Sequence, residues 1–387
     1  MLWSKNFFLI SAANFLMYMA FYMLLPTLPL YLGEHLLAPA SVIGTILSLY
    51  TVAAMTSRPL AGFWIDRTAR KPLMLLFYFS YIAICGSYVA ATSILLFFII
   101  RVLHGAAFGS ATVGVNTMAV DVIPESRRGE GLGVFTASTS AAMAIGPSVA
   151  LMMYENGLGF NTIFIAASVI GMAGFICAML IDAPERRSFS DKPFSLKSLL
   201  LAVAVPEAAI MALLSFGYGI VTVYLSVYAK EEVGITSGTG YYFSILAAGL
   251  VASRLMSALL LRKGKYIKIF SIGIACVIAS FFIVAFIHTP VAFFSSALFM
   301  GIGYGLITPT AQTMIVNMAK DTDRGVANAT YLTFFDIGVG SGVFVGGVIA
   351  QYFNYSTSYA LSFFLAICAM AYLHLFIKAH FQKRRLR

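Results

Sequence analysis

Charged residues are scarce in this chain of 387 residues. Asp, Glu, Lys and Arg together make up 10% of it, whereas an average soluble domain has about 25%. Hydrophobic residues make up 60%, and the mean hydropathy is +0.90. So few charges could not cover the surface of a water-soluble protein of this size. The same composition excludes a disordered chain, which needs low hydrophobicity.

Cysteine is also rare, and motifs for enzymatic chemistry are missing. The four cysteines, Cys85, Cys177, Cys276 and Cys368, each stand alone in an apolar run. None has metal-ligand spacing, so we interpret them as small packing residues. The sequence contains no P-loop, nucleophile triad or metal cluster. It therefore predicts neither an enzyme nor an ATP-driven pump, and it implies no cofactor.

Long apolar runs are abundant and define the fold class. A transmembrane helix needs about 20 apolar residues, and twelve runs reach or approach that length. They cover 7–32, 41–65, 73–91, 94–119, 131–154, 161–181, 198–229, 238–261, 268–287, 291–318, 327–352 and 357–377. The first run is too long for the apolar part of a signal peptide, so we expect it to be retained as a span. The sequence predicts an all-α membrane protein with 12 transmembrane helices.

The longest polar stretch lies in the middle of the chain, at 182–197. It divides the twelve spans into two groups of six. We therefore predict an N-terminal six-helix bundle over 1–181, a linker over 182–197, a C-terminal six-helix bundle over 198–377 and a basic tail over 378–387.

The basic residues in loops fall almost entirely on one side of this topology. Lys230 is the exception, in a loop on the opposite side. By the positive-inside rule, both termini and the linker are predicted to be cytoplasmic. The net charge of +10 then reflects basic loops that set the orientation of the chain in the lipid bilayer. Nucleic acid is not an expected partner.

The two groups of spans are related by an internal repeat at a fixed offset of 196 residues. Gly105 matches Gly301 and Gly109 matches Gly305, and further matches keep the same register in other spans. An even number of spans per repeat makes the two copies parallel. This architecture is typical of alternating-access transporters, in which the substrate binds at mid-membrane.

The loop after span 2 carries the most specific motif. It reads Gly62-Phe-Trp-Ile-Asp66-Arg67-Thr-Ala-Arg70-Lys71. This resembles the signature loop of the major facilitator superfamily, Gly-x-x-x-Asp-Arg-x-Gly-Arg-Lys, with alanine in place of the second glycine. The resemblance implies a latch that closes the cytoplasmic side. It assigns this conformational switch to Gly62, Asp66, Arg67, Arg70, Asp121 and Arg128. We expect Gly62 to allow close helix approach and Asp121 to be a charge partner.

Span 5 contains a second motif. Gly133, Ala142, Gly146, Pro147 and Ala150 have the spacing of the family's exporter motif, which has glycine in place of both alanines. The resemblance implies an antiporter, most often a drug exporter. A generic kinked helix is the alternative interpretation, since Gly-Pro weakens a helix.

Four titratable residues inside the spans are candidates for proton coupling. Arg101 lies about 12 Å deep in span 4, at about 1.5 Å per residue. A buried arginine costs at least about 2.5–3.5 kcal/mol, so it should face a cavity or an acid. In proton-coupled relatives the matching arginine is implicated in coupling. His104, one helical turn away, is a minor candidate.

Asp336 in span 11 and Glu207 in span 7 each lie about ten residues from the cytoplasmic end of their spans. Asp336 is our first choice as proton carrier, because an acid in hydrocarbon is functional by default.

A central cavity needs polar and aromatic walls. We expect these from spans of both halves, at Asn14, Tyr18, Tyr22, Asn116, Tyr218, Tyr304, Thr308, Gln312 and Asn328.

The sequence therefore predicts a secondary transporter of the plasma membrane. It would export a drug-like molecule or metabolite in exchange for protons by alternating access, as a monomer. Importing or facilitating transport of a sugar or other metabolite without proton antiport is one alternative. A non-coupled ligand sensor or lipid-handling protein is another.

Overall fold

The computed structural model describes residues 3–65, 67–124, 127–182, 200–261, 264–319 and 324–384. Every regular element in these ranges is a helix. The helices are α1 (Lys5–Leu30), α2 (Ala40–Ile65), α3 (Arg70–Gly86), α4 (Ile94–Val122), α5 (Arg128–Glu155), α6 (Phe160–Met179), α7 (Val205–Tyr228), α8 (Gly240–Leu261), α9 (Tyr266–Phe286), α10 (Pro290–Asn317), α11 (Arg324–Tyr352), α12 (Tyr355–Tyr372) and α13 (Lys378–Arg384). One-turn π-helical segments extend α1, α7 and α12.

The helices are long enough and apolar enough to cross a membrane. Eleven helical segments meet this criterion within the described residues, and α8 is the twelfth long helix. The predicted fold class is confirmed. The predicted start of span 7 at residue 198 is wrong, because α7 begins at Val205 after a 3-10 turn over Ala202–Ala204.

The described residues form two compact units. The first contains 3–38 and 49–182, and the second contains 39–48 and 200–384. The first turns of α2 thus pack within the second unit. There, a Cβ atom on Gly44 would lie 3.1 Å from the Cα of Gly347, so small residues allow the two backbones to touch. The predicted linker, apart from Asp182, lies outside the described residues.

In the first unit, α1 packs against α5 and α6, and α3 packs against α4 and α6. Two glycines on α4 bring this helix against the backbone of α2. A Cβ atom on Gly105 would lie 3.0 Å from the Cα of Tyr50, and one on Gly109 would lie 2.9 Å from the Cα of Ala54. Because a side chain at either glycine would collide with backbone, the close α2–α4 contact requires both.

The second unit repeats this arrangement. Its α7 packs against α11 and α12, and α9 packs against α10 and α12. A Cβ atom on Gly301 would meet the carbonyl of Leu246, and one on Gly305 would lie 3.1 Å from the Cα of Leu250. These contacts follow those of Gly105 and Gly109 by 196 residues on both helices. The repeat in the sequence is therefore a repeat of helix packing.

Candidate functional site

Arg101 lies on α4 in a buried aromatic setting. Its side chain is 1% exposed. Its guanidinium carbon lies 3.9 Å from the centroid of the Tyr50 ring, a cation–π contact. Its Nη1 atom lies 3.4 Å from the hydroxyl of Tyr88, in the 3-10 turn after α3. Sequence reasoning expected a cavity or an acid beside Arg101, and in the described structure aromatic rings surround it.

His104 belongs to the same cluster. Its Nδ1 atom lies 3.1 Å from the Tyr88 hydroxyl. Its ring stacks on Tyr81, with centroids 5.0 Å apart and planes at 12°. Three buried polar atoms of this cluster have no hydrogen-bond partner among the described residues: Arg101 Nε, His104 Nε2 and Tyr50 Oη. The sequence did not single out the three tyrosines, since 20 tyrosines in an apolar chain carry no marker of which ones face an arginine.

Asn116, which is predicted to line a central cavity, lies on α4 about four turns after Arg101. Its side chain is exposed, whereas Gly105, Phe108 and Thr112 between them are buried like Arg101.

Asp336 lies in the interior of α11. It follows the first residue of the helix, Arg324, by 12 positions and precedes the last by 16. Its side chain is half-buried. The buried Tyr331, one turn and a half earlier, lies within electrostatic range of both Asp336 and Arg254 of α8. Arg254 is the repeat equivalent of Arg58, a match that sequence analysis could have used as a sign of function.

The five predicted cavity residues of the second unit each contact another of the five. The rings of Tyr218 and Tyr304 have centroids 4.8 Å apart. Gln312 donates from Nε2 to Asn328 Oδ1 over 2.6 Å, which links α10 to α11. Thr308 bonds to the carbonyl of Tyr304 in its own helix.

In the first unit, Asn14 connects α1 to α5. Its Nδ2 atom lies 2.8 Å from Ser138 Oγ and 2.7 Å from Thr139 Oγ1, and its side chain is buried. Tyr18 stacks on Tyr22, with centroids 6.1 Å apart. Asn14 thus helps to hold two helices together, whereas the two tyrosines remain half-buried.

Glu207 lies elsewhere than the sequence predicted. Because α7 starts at Val205, Glu207 is in the first turn of the helix, with Pro206 at its start. The predicted depth of ten residues is wrong. The buried Glu207 accepts from His380 of α13, with Nδ1 and Oε1 2.8 Å apart. Its second oxygen is buried without a partner in the described structure.

The predicted switch loop is partly described. Arg70, at the start of α3, forms an ion pair with Asp121 near the end of α4, as expected. The guanidinium of Arg67 lies 4.0 Å from the centroid of the Phe63 ring. Asp66 and the side chain of Arg128 lie outside the described residues.

Gly62 does not have the packing role that we expected. A Cβ atom there would meet one atom of Val113, at 3.9 Å, which is ordinary van der Waals contact. The close approach of α2 and α4 depends on Gly105 and Gly109 instead. Hydropathy and motif matching could not distinguish these glycines, because the difference lies in the facing helix.

In the predicted exporter motif, Gly146 lies where any larger residue would clash with α1. A Cβ atom on Gly146 would lie 2.8 Å from Tyr22 Cβ and 3.1 Å from the carbonyl of Met19, where α5 meets α1. Gly133 has nothing within 4 Å of such an atom. Ala142, Pro147 and Ala150 are buried, and Pro147 lies inside the continuous helix α5.

Residues 10–309 and 268–386 match the model of the Major Facilitator Superfamily. The chain belongs to this superfamily. It is thus a multi-pass membrane transporter, as the repeated six-helix units already indicated.

Individual relatives are distant but cover most of the chain. The quinolone resistance protein NorA of Staphylococcus aureus is 22% identical, over 89% of this chain and 90% of its own. The staphylopine export protein of Staphylococcus aureus is 24% identical, over 87% and 88%. Among solved structures, that of the nucleoside transporter NupG is 14% identical, with a TM-score of 0.76 over 96% of this chain and 100% of its own. That likeness shows the fold alone.

Proposed function

We propose that this superfamily member exports a small molecule, drug-like or a metabolite, across the plasma membrane in exchange for protons. The observation that carries the proposal is the position of Asp336 in the interior of α11. The other acids of the described helices lie near helix ends: Glu34, Asp121, Glu130, Glu155, Glu207, Glu231 and Glu232. Asp336 is about 18 Å along its helix from Arg324, at about 1.5 Å per residue. An acid so placed is suited to carry a proton across the membrane.

The surroundings of Asp336 support this role. Arg254 and Asp336 both lie within electrostatic range of Tyr331. A nearby arginine stabilises the ionised carboxylate, whereas an apolar surrounding stabilises the protonated one. Alternating access would let an acid at this position bind a proton on one side of the membrane and release it on the other.

Export is supported by the span 5 motif and by two relatives. NorA is a quinolone resistance protein, and the second relative is an export protein. The basic loops favour cytoplasmic termini, and the chain is expected to work as a monomer.

The remaining candidates keep secondary roles in this proposal. Arg101 would respond to the charge change at Asp336, and His104 and Glu207 are alternative proton carriers. The ion pair of Arg70 and Asp121, together with Gly62, Asp66, Arg67 and Arg128, would form the switch on the cytoplasmic side.

Inside-out vesicles with an acidic interior test the proposal. A pH-sensitive dye reports proton release while quinolones, cationic dyes and amphoteric metabolites are added one at a time. We expect release that requires a substrate and that is lost in Asp336→Asn. Asp121→Asn, at a helix end, is the control that should keep the proton requirement even if transport slows. Release that survives Asp336→Asn would assign the proton to Glu207 or His104. Ligand binding with no proton release across the panel would favour a facilitator or a sensor.

A further inference from the structure

The free polar atoms around Arg101 are all potential donors. Arg101 donates to the Tyr88 hydroxyl, which leaves the hydrogen of that hydroxyl available for Nδ1 of His104. On this hydrogen-bond pattern, Nδ1 accepts, and the neutral ring carries its proton on Nε2. The unpartnered atoms are then the N–H groups of Arg101 Nε and His104 Nε2 and the hydroxyl of Tyr50. All three side chains are at least 96% buried, since their exposures are 1%, 0% and 4%.

Among the described residues of the first unit, no carboxylate forms an ion pair or a hydrogen bond with this cluster. The sequences of α1, α2, α3 and α6 contain neither Asp nor Glu. Asp121 shares α4 with Arg101 but follows it by 20 positions, or about 30 Å of helix, and it pairs with Arg70. Buried donors beside a positive charge are costly without an acceptor. A ligand that brings its own negative charge would relieve that cost.

Aromatic rings surround the cluster. Phe21 stacks on Phe108 and on Tyr50, with centroids 4.4 Å and 5.4 Å apart. Tyr50 itself lies under the guanidinium of Arg101. A ligand that reached the donors would therefore contact aromatic faces with the rest of its structure.

We infer that Arg101, His104 and Tyr50 form a binding subsite for a carboxylate of the transported molecule, which is an aromatic compound. This inference rests on the proposed exchange and names a substrate class for it. Proton exchange adds a condition on charge. A substrate with net negative charge would favour simultaneous binding of a proton, whereas exchange requires the two to bind alternately. The substrate is therefore amphoteric, with an amine or similar group that balances its carboxylate.

A matched pair of fluorescent probes tests the subsite. Nε-dansyl-lysine carries an aromatic group, an amine and a carboxylate, and dansylcadaverine has the same aromatic group and amine without the carboxylate. Binding of each to the full chain, purified in detergent, is followed by dansyl fluorescence. We expect saturable binding of both, with dansyl-lysine roughly tenfold tighter, as one charge-assisted pair can provide. Absence of saturable dansyl-lysine binding overturns the inference.

Variants separate the subsite from general packing. Arg101→Gln should lower dansyl-lysine affinity roughly tenfold or more and leave dansylcadaverine nearly unchanged. Tyr50→Phe keeps the ring and removes one free donor, so it should weaken dansyl-lysine alone by a few fold, even if Arg101→Gln does not fold. Tyr78→Phe is the control, because its hydroxyl bonds to the carbonyl of Ala13 in the same unit. Equal losses for both probes in Tyr50→Phe would contradict the subsite.

The vesicle assay keeps this inference distinct from the proposed function. Arg101-dependent dansyl-lysine binding without proton release would retain the subsite and refute proton exchange. Proton release driven by dansylcadaverine and by dansyl-lysine equally, and insensitive to Tyr50→Phe, would retain exchange and refute the subsite.

Discussion

The Nδ1 atom of His380 lies 2.8 Å from Oε1 of Glu207, and this contact joins the C-terminal helix α13 to the first turn of α7. Glu207 is 2% exposed and His380 about one third exposed. The contact thus has a buried partner and a partly solvated one. Removing His380 leaves the buried carboxylate without a side-chain partner on either oxygen, since the other oxygen is already unpaired.

We therefore predict that His380→Ala destabilises the protein more than Glu207→Gln does. An unsatisfied buried group costs about 1–3 kcal/mol, whereas the neutral amide of Gln is less costly to bury. The measurement is the thermal unfolding midpoint of the purified protein, with the double variant completing a cycle. Gln382→Ala, at an exposed position of α13, is the control and should have little effect. Additive losses in the double variant would show that the two side chains do not interact.

The sequence predicted much of this architecture and some of the site. Apolar runs gave twelve helices, and the 196-residue repeat anticipated the paired contacts of Gly105 and Gly301. Glu207 was misplaced because the apolar residues before Val205 lengthen the hydropathy run, although Pro206 marks a helix start. Tyr50 and Tyr88 could not be predicted, because their roles depend on which rings of α2 and of the turn after α3 face Arg101. That information lies in helix rotation, which a weak periodicity does not determine in spans that are apolar on all sides.

The glycines of the span 5 motif should differ in their tolerance of alanine. A methyl group on Gly146 would collide with Tyr22 and the backbone of Met19, whereas one on Gly133 would meet nothing. Gly146→Ala should separate α1 from α5 and lower the yield of folded protein and its thermal midpoint. Gly133→Ala should be neutral or stabilising, because alanine favours a helix over glycine by about 1 kcal/mol. Size-exclusion profiles and unfolding midpoints of both variants check this. Equal tolerance at the two positions would contradict the packing of α5 on α1.

The ion pair of Arg70 and Asp121 should contribute coupling energy to the first unit. Both side chains are about one fifth exposed, so the pair is expected to contribute about 1 kcal/mol or less. Arg70→Ala and Asp121→Ala should each lower the thermal midpoint slightly, and the double variant should lose less than the sum. Lys71→Ala, next to Arg70, is the control for a loss of basic charge. Because salt screens charges that are in part exposed, the coupling should decline as ionic strength rises. A coupling that is zero at low salt would show that the pair has no role in stability.

Glu232 supplies the acceptors for the start of α12. Its Oε1 accepts from the backbone N–H of Tyr355, and its Oε2 accepts from the N–H of Ser356 over 3.0 Å and from the Ser356 hydroxyl. These N–H groups have no partner within their own helix, and a carboxylate at a helix N-terminus is also favoured by the helix dipole. Glu232→Ala should therefore cost about 1–3 kcal/mol, because all three charge-assisted bonds are lost at once. Glu232→Gln keeps one acceptor and should cost less.

The neighbouring acid provides the matched control for this cap. Glu231→Ala removes the same charge one residue earlier, where no hydrogen bond to α12 is present among the described contacts. Hydrogen exchange measured at the start of α12 separates the two cases better than a global midpoint does. Faster exchange at Tyr355 and Ser356 in Glu232→Ala, but not in Glu231→Ala, is the expected result. If the two variants exchange alike, the start of α12 is held by Asn354, whose side chain accepts from the N–H of Thr357, and Glu232 is dispensable as a cap.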